Sequence, residues 1–185
     1  MSSIDIQLIA LAVSISYLEV CLFSAQKHAI HWKQACFIAG VFSFFQMAMT
    51  YISWAATDYI SHHVLFFDKL LAFLLLLTLG CKLIWNSYRK SQKIGFNPQK
   101  ISSLLTMALA ISSNTLIIGV VLVCMNHHTL QSILSPIVTL GLMTLGLSVF
   151  GIWYGNRDIK MRDWPVERGS GLIFILISIR ILSDS

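Results

Sequence analysis

Glu19 is an acidic side chain set deep in a hydrophobic stretch, where an ionisable group costs about 2.5–3.5 kcal/mol on insertion scales. Ser16, three residues earlier, shares its helical face. Two carboxamides, Gln46 and Asn114, fall in equally apolar surroundings, and each needs several partners to offset its desolvation. With the hydroxyls of Ser16, Ser113, Thr50 and Ser148 they make an oxygen-bearing set that can take up a cation or a proton. The competing reading is packing, since small residues let membrane helices approach and polar ones hydrogen-bond between them. Lys82 and Arg180 either snorkel to opposite interfaces or neutralise Glu19.

These residues must be positioned by helices in lipid. Of the 185 residues 56% are hydrophobic and 11% charged, and the mean hydropathy of +0.75 exceeds what a soluble domain tolerates. A span needs about 20 mostly apolar residues. Six segments qualify, at about Asp5–Ser24, Ala35–Ala56, Val64–Tyr88, Ser102–Met125, Ser132–Tyr154 and, shorter, Gly169–Leu182. The expected fold is an all-α integral membrane protein in one polytopic domain over residues 1–185. The N-terminus lacks the basic region of a cleaved signal peptide, so the first helix is expected to be retained.

Lys27 and Lys33 fall in the first connection, Arg89, Lys90, Lys93 and Lys100 in the third, and Arg157, Lys160, Arg162 and Arg168 in the fifth. The second and fourth, around Asp58–His63 and Asn126–Gln131, carry no Lys or Arg. The positive-inside rule makes the odd connections cytoplasmic and puts both termini outside. The pI near 9.2 then reflects topology and anionic lipid, with nothing pointing to nucleic acid.

The halves resemble each other. Ser43, Gln46, Thr50, Ser53 and Thr57 follow the spacing i, i+3, i+7, i+10, i+14, and Gly141, Thr144, Ser148, Gly151 and Gly155 repeat it 98 residues on. The same offset carries Lys82 to Arg180. Three helices per half give repeats of opposite orientation, one over about 4–90 and one over about 102–185, joined by a cytoplasmic linker at about 89–101 with Gly95, Asn97 and Pro98. Six transmembrane helices as two inverted three-helix repeats is a secondary-transporter plan, with the substrate site near the midplane. In the fourth span Ser103, Thr106, Ala110, Ser113 and Asn114 are expected to line one face.

At these residues the chain resembles the MntP-type manganese efflux pumps of the LysE-type exporter group over almost its whole length. The segment Tyr17-Leu18-Glu19-Val20-Cys21-Leu22-Phe23-Ser24-Ala25-Gln26-Lys27 resembles the family's Ser-Met-Asp segment, with Glu19 at the Asp. Ile111-Ser112-Ser113-Asn114-Thr115 resembles its fourth-helix counterpart with Asn114 replacing the acid, and Gln46, eight residues before Trp54, falls where the family has Glu. Leu79-Gly80-Cys81-Lys82 is similar to the family's Leu-Gly-Gly-Arg. The resemblance implies a multi-pass protein of the bacterial inner membrane that exports a manganese-like divalent cation by alternating access, with Glu19, Gln46 and Asn114 along the metal path. Carboxamide oxygens can ligate manganese. A lost carboxylate removes about 8 kcal/mol of attraction for a divalent ion before desolvation, so the two amides weaken or redirect cation binding.

Protonation of Glu19 would release the ion and couple export to a proton gradient. A non-transporting membrane partner and an exporter of another small solute, such as an organic amine or amino acid, remain as alternatives. Homo-oligomerisation and a membrane protein partner are both open. No phosphate-binding loop, Ser-His-Asp set or HExxH pair is present, so no enzyme and no resident cofactor is expected. His62–His63 and His127–His128 read as outward loop residues or an exit vestibule, and His28 and His31 as interfacial. Cys21, Cys36, Cys81 and Cys124 read as buried packing residues, and Met47, Met49, Met107 and Met143 as core.

Overall fold

A computed structural model describes residues 3–28, 30–64, 68–88, 97, 100–124, 130–157 and 166–183. These form α1 (Ser3–Lys27), α2 (Trp32–Val64), α3 (Asp68–Tyr88), α4 (Ile101–Ser112), α5 (Thr115–Cys124), α6 (Leu130–Gly155) and α7 (Val166–Ser183), with no strand among the described residues. Among the described residues four stretches are long and apolar enough to cross a bilayer: Ile6–Lys27, Trp32–Tyr59, Ile101–Cys124 and Ile133–Gly155. The apolar parts of α3 and α7, Leu70–Trp85 and Gly169–Arg180, are shorter.

Two boundaries differ from the sequence expectation. Val64, expected to open the third span, closes α2. The helix has 33 residues, about 50 Å against a hydrocarbon core of about 30 Å. Its last turns, with His62 and His63, therefore continue as helix past the apolar stretch, where a loop was expected. The second difference is a break in the fourth span at Ser113 and Asn114, which divides it into α4 and α5. Four short polar residues in a row explain it, because such side chains compete for local backbone groups. The hydroxyls of Ser112, Ser113 and Thr115 donate to the carbonyls of Ala108, Ala110 and Ser112, at 2.6, 2.7 and 2.6 Å. Asn114 N–H turns to Ile111 O, one residue short of the α-helical partner. His127 and His128 lie outside the described residues, as do Arg89, Lys90, Lys93, Gly95, Pro98, Lys160 and Arg162.

The burial pattern is that of a lipid-facing protein. Large apolar side chains such as Phe44, Ile52, Leu142, Leu172 and Leu176 point outward, while Ser14, Ser43, Gln46, Thr50, Thr144 and Ser148 are buried. In lipid the hydrophobic effect does not drive helix pairing, so packing and hydrogen bonds must. The stripe on α2 and its counterpart on α6 supply both. Gly151 and Gly155 meet the backbone of Leu18 and Leu22 on α1. Ser14 and Thr144 hydroxyls lie 3.0 Å apart in the same seam, so α1 and α6 run parallel. On α2, Ser43 donates to Gly141 O at 2.8 Å, and Ser53 donates to Leu116 O beside Gly119. Gly80 and Gly171 bring α3 and α7 together antiparallel. Two cysteines depart from the expected burial: Cys21 and Cys124 are buried, Cys36 and Cys81 exposed.

The connection between α1 and α2 is fastened from a distance. Asn156, just past α6, accepts from Ile30 N–H at 3.2 Å and donates to Ile30 O at 2.8 Å. Arg157 places its guanidinium 3.9 Å from the Trp153 ring centroid, an arrangement suited to a membrane interface.

A Cβ at Gly151 would lie 2.7 Å from Leu18 O, whereas one at Gly146 meets nothing within 4 Å. Gly151→Ala should therefore destabilise the protein by about 1–3 kcal/mol through overpacking. Gly146→Ala should be neutral or slightly stabilising. Thermal unfolding of both variants in detergent checks the contrast.

Candidate functional site

Two polar groupings lie where α1 reaches the broken helix. The first is fully buried. Tyr17 on α1 donates its hydroxyl proton to Gln46 Oε1 on α2 at 2.6 Å, and its oxygen lies 2.9 Å from Ser112 Oγ at the end of α4. The Tyr17 ring packs on Phe42 with centroids 5.4 Å apart, which holds the hydroxyl between three helices. Gln46 Nε2 has no hydrogen-bond partner among the described residues.

Ser112 has one proton and Ala108 O at 2.6 Å to receive it, and Tyr17 has one proton for two oxygens. The Gln46 carboxamide can turn over in the same space, since its O and N ends are nearly the same size. With the Gln46 amide turned over, Ser112 donates to Ala108, Tyr17 to Ser112 and Gln46 to Tyr17, so each close contact carries one proton. The Gln46 oxygen then becomes the buried atom in need of a donor or a cation. Either orientation leaves one end of the amide available, and an orphaned buried polar atom costs about 1–3 kcal/mol.

The second grouping is more open. Ser16 on α1 and Asn114 at the break line one cleft with Val13, Leu79, Leu83, Ile111 and Phe174. Lys82 on α3 donates from Nζ to Asn114 Oδ1 at 2.9 Å. Its charge thus turns to the middle of the apolar stretch Ile101–Cys124 and not to the nearer helix end.

The remaining residues singled out in the sequence fall around these groupings. Glu19 is half-buried on α1, three residues beyond Ser16. Thr50 is buried and bonded to Gln46 O of its own helix at 2.8 Å. Ser148 is buried on α6 beside the Cys21 thiol, and its hydroxyl makes no well-formed hydrogen bond among the described residues. Ser113 is exposed and bonded to Ala110 O, and Thr106 and Ala110 of the same stripe are exposed too. The buried face of α4 is Leu104, Ala108, Ile111 and Ser112 instead. Arg180 is exposed on α7. No group of three or more His, Cys, Asp or Glu converges among the described residues, so a cation here would rely on hydroxyl and amide oxygens around few carboxylates.

Tyr17 and Ser112 are the residues that sequence reading passed over. The signal was present, because a tyrosine inside a membrane helix needs a partner for its hydroxyl.

Comparison with known proteins covers nearly the entire chain. The family model described as "Mntp: Putative manganese efflux pump" matches residues 29–182. A Phocaeicola vulgatus protein named "Putative manganese efflux pump MntP" is 32% identical, covering 100% of this chain and 97% of that one. A Bacteroides thetaiotaomicron protein of the same name is 27% identical over the same shares. A third relative so named, from Gloeothece citriformis, is 32% identical over 85% of this chain and 82% of its own. No solved structure matches. With relatives at this identity along its full length and the family model spanning most of it, the chain belongs to the family described as Putative manganese efflux pump.

Proposed function

We propose that this multi-pass membrane protein exports a manganese-like divalent cation by alternating access between two inverted repeats. Membership of a family whose members are named for manganese efflux, along the full chain, carries the reading. The cation path would run along α1 past Glu19, with neutral oxygens from Ser16, Gln46 and Asn114. Glu19 supplies the carboxylate and accepts a proton when the ion leaves. Both termini face outward in this reading, because the basic connections lie in the cytoplasm.

The packing supports the repeat. Ser43 bonds to Gly141, its own counterpart 98 residues away, as expected for residues on a pseudo-two-fold axis. Ser53 donates to Leu116 O, and the residues 98 positions from this pair, Gly151 and Leu18, also touch. Gly119 lies against Ser53, and its counterpart Cys21 lies against Gly151. The Ser14–Thr144 contact maps in the same way onto Ser112 and Gln46, the pair bridged by Tyr17. Parallel α1 and α6, with antiparallel α3 and α7, are the directions that six alternating crossings require.

A midplane site between repeats has a physical use. Rocking one half against the other exposes the same oxygens first to one side and then to the other. The buried Gln46 amide, with one end already engaged by Tyr17, offers a ligand whose polarity changes with its orientation.

Everted-vesicle flux with a panel of divalent ions and small solutes tests the reading. Manganese should accumulate in vesicles containing the protein, and Glu19→Gln should reduce that flux at least about tenfold. Unaltered flux in Glu19→Gln would remove Glu19 from the mechanism, and solute uptake insensitive to manganese would favour a different substrate. Tyr17→Phe should lower stability by about 1–3 kcal/mol by stranding the Gln46 amide, readable as a lower melting temperature in detergent.

A further inference from the structure

Lys82 sits where the local chemistry favours positive charge. The break after α4 is nearly closed in hydrogen-bond terms. Leu109 and Ile111 carbonyls receive the N–H groups of Ser113 and Asn114, and Ala110 and Ser112 carbonyls receive the hydroxyls of Ser113 and Thr115. Asn114 Oδ1 is a carboxamide oxygen at the break, and the Lys82 ammonium holds it at 2.9 Å. The C-terminal end of a helix carries partial negative charge, which adds to the attraction. Ser16 lines the same cleft from α1.

We propose that the Lys82 ammonium is a tethered competitor for the transported cation, holding the Asn114 oxygen until an arriving ion displaces it. This rests on the reading of Asn114 as a cation ligand. An ammonium has three donors and no acceptor, so it satisfies a carbonyl oxygen by positive charge, as a metal ion does. Its four-carbon stem is flexible enough to withdraw without moving a helix. A monovalent ion arriving at this oxygen gains no charge advantage over the ammonium, and a divalent ion does. Lys82 is thereby a specificity-determining residue that favours divalent cations. A lysine that merely closes a helix end is the alternative, and it predicts loss where competition predicts gain.

Manganese binding to the purified full chain in detergent, followed by the paramagnetic resonance of the free ion, separates the two. Lys82→Gln should tighten binding by about tenfold or more, equivalent to about 1.4 kcal/mol. Lys82→Arg, which keeps the charge, should stay close to the native affinity. Unchanged or weaker binding in a folded Lys82→Gln protein would overturn the proposal. Acylation of lysines in the native protein, read by mass spectrometry, gives a second measure that needs no variant. Manganese should raise the rate at Lys82 and leave Lys27 and Lys33 unaffected, and an unchanged Lys82 rate under bound manganese would also overturn it. Tighter binding in Lys82→Gln without native flux would dismiss export and keep the competition. Native flux with unaltered binding would do the reverse.

Discussion

Close backbone approach between helices is the constraint on which the rest of this molecule depends. Lipid provides no hydrophobic gain for pairing helices, so contact must come from packing at short range and from hydrogen bonds. Gly151 and Gly155 bring α6 onto the carbonyls of Leu18 and Leu22, and Gly119 brings α5 onto Thr50 and Ser53. A side chain at either glycine seam would move α1 or α5 outward. The Tyr17 hydroxyl would then lose its place between Gln46 and Ser112, since its contacts at 2.6 and 2.9 Å require α1, α2 and α4 together.

That approach creates a second requirement, because polar groups brought inside must be satisfied where water is absent. Most are: the hydroxyls of Ser43, Thr50, Ser112 and Thr115 all find carbonyls. One end of the Gln46 amide and the Ser148 hydroxyl are left over among the described residues. A protein that only needed to pack would gain by replacing them with apolar groups of the same shape. Both lie on helices, α2 and α6, that pack against each other.

Residues differ in the trace that they leave in a linear chain. The stripes on α2 and α6 were readable because a 3.6-residue period survives in sequence, and those positions from Ser43 to Ser53 and from Gly141 to Gly155 are buried. The stripe on α4 had a comparable spacing, yet Thr106, Ala110 and Ser113 face outward. Spacing tells which residues share a face but not where that face points. The break at Ser113 and Asn114 was not expected from the sequence, although Ser-Ser-Asn-Thr supplies side chains that find backbone partners one turn away.

By itself, the sequence determined the membrane class, the helical content and the 98-residue offset between the polar stripes of α2 and α6, because composition and periodicity are properties of the chain alone. Tertiary structure decided which polar residues meet. Tyr17 joined Gln46 and Ser112 across 29 and 95 residues, and Lys82 turned from the helix end toward Asn114. Such pairings depend on helix rotation and crossing, which are set by the glycine seams acting together and leave no local pattern. The fold sets Glu19 one turn beyond Ser16 and the cleft that Ser16 shares with Asn114.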